Sequence, residues 1–195
     1  MKLLVENIAE NLNIPKPSHI VVQYWGTKTD LEYLEHFADK LKADHHSVSR
    51  VLFDKDAMIQ ACQQGPFDIQ DQVSHDCLEN ANVVIDLCAF SPTSLAPLMS
   101  AEARPNFVQF MRHHFSVITG PSKLMLQIRM PSVENALESG LTIEAYTQTI
   151  LKMSEVRALD LNEACDHMIQ DLSTTTHVHI RSEEHTSELQ SRHNL

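Results

Sequence analysis

No apolar run in this chain approaches the roughly 20 residues that a membrane-spanning helix needs. The N-terminus reads Met1-Lys2-Leu3-Leu4-Val5-Glu6-Asn7, and Glu6 interrupts the stretch that a signal peptide keeps apolar, so no export signal is read. Phosphate loops of the GxGxxG or GxxxxGK[ST] type are missing, as is the HExxH helix of zinc peptidases. There is no GxSxG nucleophile elbow. The four cysteines, Cys62, Cys77, Cys88 and Cys165, form no CxxC pair, and their spacing suits neither a zinc site nor a disulfide framework. They are expected as reduced, mostly buried thiols in a reducing compartment, the cytoplasm. Positive charge is also scarce. Fifteen Lys and Arg face 26 Asp and Glu, a net charge of -11, which argues against nucleic acid and anionic membrane as partners.

The last fifteen residues stand apart from the rest. The run from Arg181 to Ser191 matches the translation of a common sequencing adapter, and Arg192 to Leu195 fits its continuation. The segment 181–195 is therefore set aside as a non-native tail. Glu183, Glu184, His185, Glu188 and His193 receive no chemistry, and the net charge without the tail is -10. Residues 1–180 are read as one N-terminal α/β domain, long enough to bury a core. The native frame is expected to continue beyond Ile180.

Along 1–180, helix-like and strand-like segments alternate, the pattern of an α/β fold. Residues 2–12 predict a helix with Leu4, Ile8 and Leu12 on one face, stopped by Pro15 and Pro17. Residues 19–25 (HIVVQYW) predict a buried strand. Thr29 with Glu32 resembles a capping box, opening a helix with Leu31, Leu34, Ala38 and Leu41 aligned. Residues 47–53 predict a second strand, 54–63 a short helix broken by Gly65-Pro66, and 69–78 another helix. Residues 82–87 (NVVIDL) are read as a third, continuously apolar strand, the habit of a strand inside a parallel sheet. Residues 106–117 predict a helix with Phe107, Phe110, Met111 and His114 on one side, and 124–130 a fourth strand. A short helix at 132–139 closes at Gly140. Thr142 caps the next helix, with Ile143, Tyr146, Ile150 and Met153 on one face. Residues 160–172 repeat the pattern with Leu161, Cys165, Met168 and Leu172. A last strand begins at 176–180 with no partner following it. The fold class is thus α/β, a largely parallel sheet flanked by helices and truncated in its last strand.

Candidate chemistry is sparse. Ten histidines lie in 1–180. His45-His46 and His113-His114 are adjacent pairs that do not face each other on a helix, so they are read as surface or half-buried side chains. His177 and His179 share a strand face and could ligate zinc. With no third ligand near in sequence, they are read as exposed residues of a strand awaiting its pair. Trp25-Gly26-Thr27 and Ser91-Pro92-Thr93-Ser94 follow strands, where parallel α/β sheets bind ligands; turn chemistry accounts for both. Asp54 with Asp56, and Asp68 with Asp71, are read as helix starts and solvated surface. No catalytic, cofactor-binding or metal-ligating residue is assigned.

One stretch has a more specific pattern: Arg129, Pro131-Ser132, Ala136, Gly140, then Leu141-Thr142-x-Glu144-x-Tyr146, followed by helices and the strand His177-Val178-His179-Ile180. This resembles the aminopeptidase T family of two-metal, leucyl-type aminopeptidases, and the upstream order of elements is similar to that family's N-terminal domain. The shared positions are those of packing and capping. The resemblance implies a non-catalytic domain, with the metal ligands in a C-terminal catalytic domain that would follow. It also implies two divalent ions such as zinc or cobalt there, none on this domain, a peptide substrate for the whole protein, and a homodimer as one assembly. A relative of the same scaffold that has lost its ligands and works as a binding or biosynthetic module is the alternative.

Overall fold

A computed structural model describes residues 2–12, 14–28, 31–65, 72–120, 123–181 and 186–190. The chain divides into two compact units, Met1–Glu155 and Val156–Leu195.

The first unit is an α/β domain. Its strands are β1 (His19–Gly26), β2 (Ser47–Asp54), β3 (Val83–Cys88) and β4 (Leu124–Arg129), all parallel, in the order β2-β1-β3-β4. Parallel neighbours need crossover helices. These are α2 (Glu32–Ala43) between β1 and β2, α3 (Lys55–Gln64) and α4 (Gln72–Glu79) before β3, and α5 (Arg104–Ile118) before β4. A 3-10 turn at Pro92–Leu98 precedes α5, and Pro97 inside it keeps it from becoming a regular helix. The helix α1 (Lys2–Asn11) leads the unit, and α6 (Val133–Glu138) and α7 (Ile143–Ser154) close it. The first crossover steps to one side of β1 and the next returns to its other side, so β1 and β3 flank the point where the winding reverses. In such sheets the loops at the strand C-termini there diverge and leave room for ligands.

Side chains alternate along each strand, so both faces of the sheet must be covered. One face packs Ile20, Val22, Tyr24, Val83, Ile85 and Leu87 against Leu4 and Val5 of α1, against Tyr33, Leu34, Phe37 and Leu41 of α2, and against Ile150 of α7. The other packs Val21, Trp25, Val51, Phe53, Val84 and Cys88 under Met58 and Cys62 of α3, Leu78 of α4, and Phe107, Phe110, Met111 and Ile118 of α5.

The predicted α5 face is buried as read, and Tyr33 and Phe37 complete a face of α2 that the spacing had shown only in part. Asp54 caps α3 by accepting from the Ala57 N–H, Ser132 caps α6 through Asn135, and Thr142 caps α7 through Ala145. Thr29 lies outside the described residues, and Leu31, the N-cap position before α2, makes no side-chain cap bond. Met153 is 65% exposed, unlike its predicted face-mates Tyr146 and Ile150. The face runs past the end of its cover there.

The second unit holds α8 (Ala158–Ser173) and a two-stranded antiparallel ribbon of β5 (His177–Arg181) and β6 (Thr186–Gln190). The strand at 176–180 pairs with β6, in register His177 to Gln190, and β6 lies wholly inside the segment 181–195 set aside as a non-native tail; an open strand edge can pair with any extended segment that follows it. One expectation is corrected here. The predicted α8 face, Leu161, Cys165, Met168 and Leu172, is exposed, and with it one of the four thiols expected to be mostly buried. Periodicity marks an apolar face but does not supply the surface that covers it. Among the described residues no helix is long and apolar enough to cross a membrane.

Candidate functional site

The strand C-termini converge at Gly26, Asp54, Cys88 and Arg129. Trp25 stands at this edge but is fully buried, its ring stacked on Phe53 with centroids 4.2 Å apart. Gly26 is needed there because a Cβ would fall 2.3 Å from the Tyr24 ring. Asp54 accepts from the backbone N–H groups of Lys28 and Ala57, both at 3.0 Å, tying the loop after β1 to the start of α3. Ser91 is within 2.9 Å of the Thr93 hydroxyl, and the Ser94 hydroxyl donates to its carbonyl at 2.7 Å.

Asn135 is the hub of the edge. Its side-chain amide donates to the carbonyls of Cys88 and Met130, each at 2.8 Å, and its oxygen accepts from Arg129 at 2.7 Å. Arg129 also donates to Glu138 at 2.9 Å, and that carboxylate holds the guanidinium firmly protonated. The Ser132 hydroxyl donates to the Ala89 carbonyl and accepts from the Asn135 N–H. Lys55 lies 3.6 Å from Glu134 and 5.8 Å above the Phe90 ring. These bonds join the ends of β3 and β4 to α6, and most of the polar atoms in them are already engaged with one another.

Beneath the edge, on the face covered by α3, α4 and α5, lies a second set of polar groups. Gln23, Asp86 and Gln127 stand side by side in register across β1, β3 and β4. Gln23 and Asp86 are buried, and the Gln23 amide nitrogen donates to an Asp86 oxygen at 2.5 Å. Burial pushes the Asp86 carboxyl up to about 6, against smaller downward pulls from Trp25, Gln23 and Gln127. The Trp25 N–H is buried beside this acid and closes no hydrogen bond of normal geometry. Cys88 is pushed up to about 12, mainly by burial and further by the Asp86 charge, which makes it a poor nucleophile. His114 on α5 is buried, stacked on Phe110 and edge-on to Trp25 and Phe53; burial lowers it to about 4, and neither ring nitrogen has a partner.

The candidates from the sequence distribute as follows. His113 is exposed while His114 is buried, and His45 is exposed while His46 is largely buried. The reading of all four as surface or half-buried groups is corrected for His114, which faces inward because adjacent residues on a helix point apart, and for His46, which is buried in the turn between α2 and β2 where His45 takes φ 68°. His177 is exposed, and His179 lies on β5 two residues further along. Asp56 is exposed in the first turn of α3, and Asp68 and Asp71 lie outside the described residues. Cys62 and Cys88 are buried, Cys77 half-buried, and all four thiols are free. Among the described residues no three His, Cys, Asp or Glu side chains are placed to hold a metal ion, and no step is assigned to a metal here.

The sequence reading missed Asn135, Gln23 and Asp86. The signal for the last two was a polar residue inside the apolar stretches 20–25 and 83–88, in the same alternation phase of the two strands. The architecture is that of a parallel α/β domain with a bonded edge and a buried acid. Comparison with protein-family models, curated proteins and solved structures gives no match for this chain.

Proposed function

We propose that residues 1–180 are the non-catalytic N-terminal domain of a metal-dependent aminopeptidase, forming a wall beside a catalytic domain that carries the metal ions. The observation behind this reading is the job done by each residue of the Arg129–Tyr146 pattern. Arg129 is held by Asn135 and Glu138, Ser132 caps α6, and Ala136 is buried. Gly140 takes φ +67°, a conformation that favours glycine, Thr142 caps α7, and Tyr146 is buried. Apart from the exposed Leu141 and Glu144, the pattern consists of caps, packing and one left-handed turn, the features that a scaffold domain conserves in its structure. The two divalent ions and the bond cleavage belong to the partner domain, where paired metals would activate water and polarise the peptide carbonyl.

The test is to sequence the source DNA across codon 180 and assay the product of the continuous frame. A product that removes N-terminal residues from peptides when supplied with zinc or cobalt, beside an inert 1–180 chain, supports the proposal. Peptidase activity of 1–180 alone overturns it. A continuous frame without carboxylate and histidine ligands turns the reading to a binding or biosynthetic module on the same scaffold.

A further inference from the structure

Asp86 is an acid without a counter-ion. Among the described residues no basic side chain acts on it; the groups that do are Trp25, Gln23 and Gln127. Among the described residues, the titratable groups packed into this face are Cys88 on β3, Cys62 on α3, Cys77 on α4 and His114 on α5, with Arg129 at the end of β4, while Lys55, Asp56, Asp76, Glu79, Arg104, Arg112 and His113 on the same helices are exposed or half-buried. Arg129 is engaged by Glu138 and Asn135. Burial holds the thiols of Cys62 and Cys88 and the His114 ring in their neutral forms.

Beside this acid sits an acceptor with nothing to accept. The Gln23 nitrogen donates to one Asp86 oxygen, while the Gln23 oxygen is buried and unpartnered. An ionised carboxylate has no hydrogen to give. A protonated one has an O–H that can donate to the amide oxygen, so acid and amide satisfy each other through two hydrogen bonds. Turning the Gln23 amide over would set oxygen against oxygen at 2.5 Å, a contact that also needs a proton between them.

We propose that Asp86 and Gln23 form a buried proton-binding site, a neutral acid–amide pair, so that folding of the domain takes up a proton and its stability falls as that proton is lost. The direction follows from linkage. The acid's folded value is about 6 and its ordinary value 3.8, so the stabilisation is complete below 3.8 and lost as pH rises through 6. His114 runs the opposite way, and its effect overlaps that of Asp86.

The experiment is urea unfolding of the whole chain and of Asp86→Asn from about pH 3.5 to about pH 8. The variant keeps the shape and hydrogen-bonding capacity but cannot ionise. His114 titrates in both chains, so its part cancels in the ratio of their unfolding constants. That ratio, wild type over variant, is expected to rise about a hundredfold across the range, from the two-unit separation of the folded and ordinary values. A flat or falling ratio overturns the proposal. If Asp86→Asn does not fold, infrared spectra of the wild type decide. A carboxylic-acid carbonyl band should persist at about pH 5.5, where ordinary carboxylates are ionised. Its absence in the folded protein overturns the pair.

Discussion

On the face of the sheet covered by α1, α2 and α7, the two central strands present Ile20, Val22 and Tyr24 from β1 and Val83, Ile85 and Leu87 from β3. On the face covered by α3, α4 and α5, the same strands present Val21, Gln23 and Trp25, and Val84, Asp86 and Cys88. The first face is stabilised by removing apolar surface from water, at roughly 25 cal/mol per Å². The second has the same burial but carries an acid, an amide, an indole N–H and, on α5, the His114 ring, all buried. Each buried polar atom without a partner costs about 1–3 kcal/mol. The difference is one of polarity: the described side chains buried on the first face are apolar or tyrosine, whereas the second buries an acid and an imidazole that burial shifts in opposite directions.

The comparison can be broken or sharpened by substitution. Phe37→Ala, on the apolar face, should lower the unfolding free energy by about 3–5 kcal/mol, equally at all pH values, in urea titrations. A strong pH dependence of that loss would show that the faces are not separable. His114→Phe acts on the other face. The wild-type ring is held neutral, so its stabilisation is present above the ordinary value of 6.5 and lost as pH falls toward 4. That loss amounts to about 3 kcal/mol, and the variant should not show it when thermal melts at about pH 4 and about pH 7 are compared. Gln23→Leu leaves Asp86 without its amide and should cost about 1–3 kcal/mol near pH 5. If the variant instead matches wild type there, the amide contributes nothing to the buried pair. Thr142→Ala removes a cap outside both faces and should cost about 1 kcal/mol with no pH dependence, read by the same melts.

The layered architecture was legible because it rests on periodicity and on turn chemistry. HIVVQYW and NVVIDL declared themselves as interior strands, the Phe107–His114 spacing declared the α5 face, and Thr142 declared a cap. The buried pair was not legible, although its residues were in plain view inside those strands. A sequence shows that Gln23 and Asp86 each interrupt an apolar run, but only the β1–β3 register shows that they interrupt it at the same level. Asn135 was hidden for a related reason, since its partners Cys88 and Met130 lie on other segments. In α8 the spacing of Leu161, Cys165, Met168 and Leu172 marks a face as clear as that of α5, yet it is exposed, because burial depends on a neighbour that periodicity does not specify.

The most direct measurement is a carbon-13 NMR titration of the aspartate side-chain carboxyls in the folded protein, with Asp86 assigned by its absence from Asp86→Asn. The account predicts that this one resonance reports a protonated acid at about pH 5 and titrates with a midpoint of about 6. A midpoint at the ordinary 3.8 would mean that the carboxylate is charged inside the core and would contradict the account.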